Sequence, residues 1–266
     1  MTLRDVGPVL MIGCGNMGGA MLRRWLAAGM RADQVTVVTR NEKTLPAGVR
    51  WASAVSDREA PALLVLAVKP QQLDVVAPAL RDVRPDLLLS ILAGVEEAAL
   101  TERFRAGAIV RAMPNLPVAI GKGVTGLFSA TADAGARGLA EALCAPLGHH
   151  EWIAEERLFD AVTALAGSGP GFVFRFLDAL ARAGASLGLP ADQARRLATA
   201  TLEGSALMAA ASDEGAATLA DRVASPGGST REGLNVLDRD DALVRLLSDT
   251  LAAAERRNRE MAAAAR

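Results

Sequence analysis

The run Gly13-Cys14-Gly15-Asn16-Met17-Gly18 restricts what this chain can fold into more than any other feature. It follows the apolar stretch Val9–Ile12 and opens Met17–Ala28, where Met21, Leu22 and Trp25 fall on one side of a helix and Gly29 is the stop signal. A strand that runs through G-x-G-x-x-G into a helix is the pattern of a turn that binds a dinucleotide pyrophosphate. Gly13 permits the tight turn, Gly15 lets backbone approach the phosphates, and Gly18 lets the helix pack close to the strand. Asn16 and Met17, at the helix start, then offer free amides and a partial positive charge. The competing reading of the same residues is a purely structural glycine-rich turn.

The rest of the first half supports the ligand-binding reading. Val35–Val38, Leu63–Val68, Leu87–Leu92 and Ala108–Met113 are short apolar runs separated by helical or loop segments, the pattern of a parallel sheet covered on both faces. Gly123–Phe128 is expected as an edge strand and Ala134–Leu143 as a helix. From about Glu155 the period changes to that of helices: Leu158, Val162 and Leu165, then Phe172, Phe176, Leu180, Ala183 and Leu187, then Leu243, Leu247, Thr250 and Ala254. Gly167-Ser168-Gly169-Pro170-Gly171 interrupts the first of these helices, and Pro170 fits the first turn of a restarted one. Leu187-Gly188-Leu189-Pro190 ends it, and Ala262–Arg266 is expected to fray. The expectation is a mostly parallel, doubly wound α/β domain over residues 1–153 and an all-α domain over 154–266, with a packed junction near 150–156.

With 51% hydrophobic and 22% charged residues, the chain has ample core and no long apolar span. A net charge of −1 argues against nucleic acid or an anionic membrane as partner, so phosphate binding has to be local. Cys14 and Cys144 form neither a disulfide framework nor a metal motif, which fits a soluble protein of the reducing cytoplasm with no metal. Cys14 sits beside a helix N-terminus, which lowers a thiol pKa, and is read as packed beneath the loop rather than as a nucleophile. There is no tyrosine, and His149 and His150 are the only histidines, read as junction packing.

The second strand ends Val38-Thr39-Arg40-Asn41 without the carboxylate that NAD enzymes commonly place on the adenosine ribose. Arg40, aided by Thr39 and Asn41, offers a guanidinium for a 2′-phosphate, so NADPH is read over NADH; a solvated loop arginine is the alternative. Ala67-Val68-Lys69-Pro70 closes the third apolar run, at the strand ends that face the ligand crevice in doubly wound sheets. Lys69 there touches the nucleotide or the substrate, or is a solvated loop lysine. Asn115, after the fifth run, is a candidate for a hydrogen bond near the nicotinamide, or a turn former between Pro114 and Pro117.

In the helical half, Ser225-Pro226-Gly227-Gly228-Ser229-Thr230 puts two glycines and two hydroxyls directly before a helix. It reads as an amide-rich pocket for a carboxylate, Thr230 adding a hydroxyl, or as a simple cap and turn. At this point the sequence resembles the pyrroline-5-carboxylate reductase family along nearly its whole length. The likeness rests on Ile12–Gly18, Ala67–Pro70, Arg111-Ala112-Met113-Pro114-Asn115, Asp160–Pro170 and Ser225–Thr230. It implies a Rossmann domain followed by a helical dimerisation domain, interleaved helices of two subunits, and in some members rings of dimers. It implies hydride transfer from NAD(P)H to the C=N carbon of 1-pyrroline-5-carboxylate, giving L-proline. Gly227, Gly228, Ser229 and Thr230 would hold the substrate carboxylate, and Thr230 and Ser225 are the catalytic candidates, Thr230 near the ring nitrogen. The sequence departs from the family in Phe172 for a tyrosine, Leu116 for a threonine, Lys122 for an acidic residue and Ala54 for an asparagine. A paralogue acting on another cyclic imine is the alternative these departures raise.

The chemistry is consistent with that resemblance. A cyclic imine near neutral pH can arrive protonated, so its carbon accepts hydride without a proton donor from the protein. A carbonyl substrate develops an alkoxide that needs Tyr, Lys or His beside it. A small hydroxyacid or amino-acid dehydrogenase using NADPH is the other class, but its lysine on a second-domain helix is missing, since Lys122 is the last lysine of the chain.

Overall fold

In a computed structural model, residues 2–56 and 60–264 are described. Chain contacts divide it into two compact units, Met1–Pro170 with Ala254–Arg266, and Gly171–Ala253.

The first unit is built on an eight-stranded sheet: β1 (Val9–Ile12), β2 (Val35–Val38), β3 (Arg50–Ala52), β4 (Leu63–Leu66), β5 (Leu87–Ser90), β6 (Ala108–Pro114), β7 (Gly123–Phe128) and β8 (Gly148–Trp152), in the order β3-β2-β1-β4-β5-β6-β7-β8. The strands from β3 through β6 pair in parallel; β7 runs antiparallel to β6, and β8 parallel to β7. The strand reversal between β2 and β4 around β1 puts the carboxyl ends of β1, β2 and β4 around one crevice. The period of two along the strands sorts the core. Val9, Met11, Val35, Val37, Leu63, Val65, Leu87 and Leu89 point to one face. Leu10, Ile12, Leu64, Leu66 and Leu88 point to the other.

The helices of this unit are α1 (Asn16–Ala27), α2 (Leu73–Val76), α3 (Glu97–Arg103), α4 (Ala134–Cys144) and α5 (Phe159–Val162). The expected inward face of α1 is the observed one: Met21, Leu22 and Trp25 are at most 1% exposed. Trp25 Nε1 donates to the Leu143 carbonyl at 2.6 Å, tying α1 to α4 and satisfying the polar atom of a buried indole. On the opposite face Leu73, Leu80 and Leu100 close the core. Buried Arg111 on β6 pairs with Glu156 at 2.6 Å and lies 4.3 Å over the Phe159 ring. Glu156 also accepts the Glu97 N–H at 2.7 Å, so one carboxylate holds β6, α3 and the segment leading into α5.

Two differences from the sequence expectation stand out. Gly123–Phe128 is not an edge; it lies between β6 and β8. The edge is Gly148–Trp152, whose exposure alternates and whose His149, His150 and Glu151 carry no apolar signal. The other edge, Arg50–Ala52, is three residues long with Trp51 exposed. Short, polar edges are what limits unwanted pairing, and they are also what hides a strand from a hydrophobicity pattern.

The helical segment consists of α6 (Gly169–Ser186), α7 (Ala191–Ala210), α8 (Ala216–Arg222), α9 (Ser229–Asp238) and α10 (Ala242–Ala264). Pro170 is the second residue of α6, as its missing N–H requires. The helix α10 runs on through Ala264, past the expected fraying point; residues 265 and 266 lie outside the described ones. Within Gly171–Ala253 the buried hydrophobic side chains are Ala194, Ala198 and Ala224, while Phe174, Phe176, Leu207, Met208, Val244 and Leu246 are exposed. Amphipathic helices without a large buried side chain have no core of their own, and their apolar faces need cover. Self-association through them makes stability concentration-dependent: each tenfold rise in protein should add about 1.4 kcal/mol to the unfolding free energy. A urea midpoint that stays fixed over a hundredfold concentration range would rule this out.

Candidate active site

The glycine loop occupies the mouth of a cleft of about 920 Å³ at the carboxyl end of the sheet. Its three glycines are held by three different constraints. Gly13 has φ +85°, and a Cβ there would sit 2.6 Å from the Ala67 carbonyl oxygen and 2.8 Å from Val68 Cγ1. Its N–H donates to the Val38 carbonyl at 2.9 Å, joining the ends of β1 and β2. At Gly18 a Cβ would meet Met11 Cε at 2.7 Å and Ala67 Cβ at 3.0 Å, so α1 packs as close to the sheet as a helix can. Gly15 caps α1 in an extended conformation, and a Cβ there would meet nothing within 4 Å. The space in front of it, beside the first amides of α1, is open.

The cleft gathers Gly13, Gly15, Asn16, Met17, Thr39, Arg40, Asn41, Ala67, Val68 and Lys69. Pro70 and Asn115 lie outside its lining. Thr39 shapes the turn that presents Arg40: its hydroxyl donates to the Asn41 carbonyl at 2.8 Å and accepts the Trp51 Nε1–H at 3.0 Å. Arg40 is exposed. Lys69 is exposed as well, and its backbone N–H donates to Gln72 Oε1 at 3.2 Å. Sequence reading misses Lys43, whose Nζ donates to the Cys14 carbonyl at 2.8 Å across the cleft mouth. Nothing in the Glu42-Lys43 pair distinguishes it from a solvated loop. Met113 and Pro114, which carry the wall on the β6 side, are legible in the sequence only as the approach to Asn115.

Among the described residues, the cleft lining contains Arg40, Lys43 and Lys69 and no carboxylate. Three cations with no acidic side chain beside them in the described lining, together with the free amides of α1, suit a ligand carrying several phosphate charges. Ala54 is on this wall too. For Cys14 the helix N-terminus does not win: burial pushes its thiol up, against the smaller opposing pull of Lys43 and Arg23. Cys144, deeper still, is pushed up to about 12 by burial.

The second candidate loop lies in the helical unit. Gly227 has φ +71°, the Gly228 N–H donates to the Ser225 carbonyl at 2.9 Å, and Gly228 caps α9. A Cβ on Gly228 would sit 2.6 Å from Ser225 Oγ and 3.1 Å from the Ser225 carbonyl oxygen, so a larger residue there would have to turn the Ser225 hydroxyl aside. Ser229 and Thr230 form the first turn of α9, with Ser225 and Thr230 exposed. Arg231 fixes the loop from behind, donating to Asp221 at 2.7 Å. The turn thus presents backbone amides and two hydroxyls at the start of a ten-residue helix, a geometry suited to an anion such as a carboxylate.

A doubly wound sheet with a dinucleotide loop and an uncored helical segment defines a dinucleotide-dependent oxidoreductase of the two-domain kind. The sequence pattern described as NADP oxidoreductase coenzyme F420-dependent matches residues 8–94, and that of pyrroline-5-carboxylate reductase dimerisation matches residues 156–261. A pyrroline-5-carboxylate reductase of Synechocystis is 34% identical, over 94% of this chain and 97% of its own. That of Aquifex aeolicus is 37% identical over 86% and 88%. The structure of the Coxiella burnetii enzyme superposes with a TM-score of 0.87 at 31% identity, covering 96% of this chain and 98% of its own. The chain belongs to the pyrroline-5-carboxylate reductase family.

Gly13→Ala tests whether the loop is fixed by folding. It combines a strained φ with a backbone clash, so it should lower the unfolding free energy by about 2 kcal/mol or more. Thermal and urea unfolding of the variant measure this; a loss under about 0.5 kcal/mol would show that the turn relaxes.

Proposed function

We propose that the protein reduces the C=N bond of 1-pyrroline-5-carboxylate to L-proline, the last step of proline synthesis, with NADPH as preferred reductant. What carries this reading is the pairing, in one family member, of a cation-lined cleft whose described residues include no carboxylate and an amide-rich loop that opens α9. The bound nucleotide would supply the hydride for the imine carbon. Everything else falls to residues of the chain. Gly13, Gly15, Asn16 and Met17 take the pyrophosphate; Arg40, with Thr39 and Asn41 around it, takes the 2′-phosphate. Ala67, Val68 and Lys69 form the wall, with Pro70 turning the chain behind them. Gly227 and Ser229 hold the substrate carboxylate through backbone amides, and Gly228, whose own N–H is taken by the Ser225 carbonyl, shapes the turn that presents them. Thr230 hydrogen-bonds near the ring nitrogen, and Ser225 supports it.

No general acid is needed. The imine arrives as an iminium, whose carbon is already electrophilic, and the described residues lining the cleft offer no Tyr, His, Asp or Glu. The work left to the protein is orientation and exclusion of water. A solved relative from Plasmodium falciparum, with NADP bound, superposes with a TM-score of 0.82 at 25% identity, which supports the choice of a phosphorylated nucleotide here. Residues 1–153 would then serve as the nucleotide domain and 154–266 as the helical substrate and dimerisation domain. The family's dimerisation pattern and the uncovered helix faces mean that the chain homo-oligomerises. Assembly into a ring of dimers, residence in the cytoplasm, and independence of nucleic acid and membrane belong to the proposal.

The direct test is cofactor oxidation, followed by absorbance, with 1-pyrroline-5-carboxylate and a panel of other cyclic imines. Turnover of another imine alone would replace the substrate, and turnover of none, with either cofactor at any pH, would refute the reductase. Arg40→Ala should weaken NADPH binding by about tenfold while leaving NADH within about twofold. Equal losses would show that Arg40 does not read the 2′-phosphate. Thr230→Ala should lower kcat/KM for the imine by about tenfold with NADPH affinity unchanged.

A further inference from the structure

Pro170 leaves one carbonyl without its usual donor, and another residue takes the missing place. In an unbroken α-helix the Ala166 carbonyl accepts the N–H of residue 170. Pro170 has no N–H, and a proline ring crowds the carbonyl four residues before it. The chain widens there: Thr163–Gly167 form a π-turn in which the Ser168 N–H reaches the Thr163 carbonyl at 2.9 Å. The Ala166 carbonyl receives the Asn115 Nδ2–H instead, at 2.9 Å. Asn115 is 6% exposed, and its Oδ1 accepts the Val124 N–H at 2.8 Å. That second bond fixes the amide's orientation, since a flipped amide would set donor against donor at Val124 and oxygen against oxygen at Ala166. The residues just before Asn115, Met113 and Pro114, line the cleft. A Cβ on Gly167 would lie 3.7 Å from Met113 Cε, so the π-turn is packed on the back of that wall.

We infer that Asn115 is a positioning residue for the reaction: it supplies the donor that Pro170 lacks, and so locks the Met113–Pro114 wall of the cleft to the π-turn from which the helical segment starts. Asn115 lies outside the cleft lining and acts through the Ala166 carbonyl. A π-turn is rare in isolation and persists where something over-determines it, commonly beside a functional site. The two separate sequence signals, Met113-Pro114-Asn115 and Gly167–Pro170, are on this account one device, an amide on one side and a missing amide on the other. The catalytic part of the inference rests on the reading above that the helical segment holds the substrate.

The test is a cycle of Asn115→Asp, Pro170→Ala and the double variant. Asn115→Asp keeps the acceptor for Val124 and replaces the donor with an oxygen facing the Ala166 carbonyl. It should reduce kcat for the imine by about tenfold or more, with the NADPH dissociation constant within about twofold of the parent. Lowering the pH should restore its activity relative to the parent, because the introduced carboxyl, once protonated, donates again. Pro170→Ala returns an N–H to the Ala166 carbonyl, so the double variant should lose only about twofold to threefold relative to Pro170→Ala alone. A loss of the same size in both backgrounds, or one that falls equally on NADPH binding, would overturn the inference. Thermal unfolding of the same four proteins reads the hydrogen bond even if the chain proves to act on another substrate. Should Asn115→Asp not fold, the parent protein decides: slow solvent exchange of the Asn115 side-chain amide protons by ¹⁵N NMR is expected, and exchange at the rate of a free amide would overturn it.

Discussion

The fold follows from a sheet that is apolar on both faces. Leu10 and Met11, Leu64 and Val65, Leu88 and Leu89 are neighbours in the chain that point to opposite sides, and each is at most 1% exposed. Such strands cannot leave either face to water, so helices must cover both, and the chain has to cross over between parallel strands. Loops are then pushed to the ends of the strands. The cleft with Gly13, Thr39 and Ala67 is where the crossings diverge around β1. The location of the ligand site is thus a consequence of burial in the sheet, before any residue of the site is considered.

That origin explains what is legible in the sequence. Val9–Ile12 is a continuous apolar run and Val35–Val38 is β-branched throughout, and the ends of both can be read to the residue. Arg50–Ala52 leaves no signal at all, and Gly148–Trp152 reads only as a strand or a loop at the junction; edge strands are half solvated and have no such run. In the cleft, the glycine loop, Arg40 and Lys69 are legible because a motif or a strand end places them. Lys43 is not, since its contact with the Cys14 carbonyl spans 29 residues and depends on how the loop after β2 folds back. Asn115 is legible as a residue of interest, but its partner Ala166 lies 51 residues on and offers only a backbone oxygen. A bond to a carbonyl leaves no trace in the identity of the accepting residue.

The two units solve the burial problem differently. The first has large side chains such as Trp25, Met11 and Met21 fully enclosed. The second, Gly171–Ala253, encloses alanines and leaves most of its Phe and Leu side chains exposed. On the proposed reading, cofactor chemistry is carried by a part of the chain with its own core, and substrate chemistry by a part whose apolar faces need cover. On the same reading, assembly is a condition for the turn at Gly227–Thr230 to hold a carboxylate, not an addition to a finished active site.

The three glycines of the first loop carry one more implication. Gly13 and Gly18 are crowded by Ala67, Val68 and Met11, so the folded chain itself rejects a larger residue there. Gly15 is crowded by none of the described residues. The only thing that can forbid a methyl group at Gly15 is the molecule that comes to lie against it. Position 15 is therefore where a survey of melting temperatures and a survey of turnover would rank the same substitution at opposite ends.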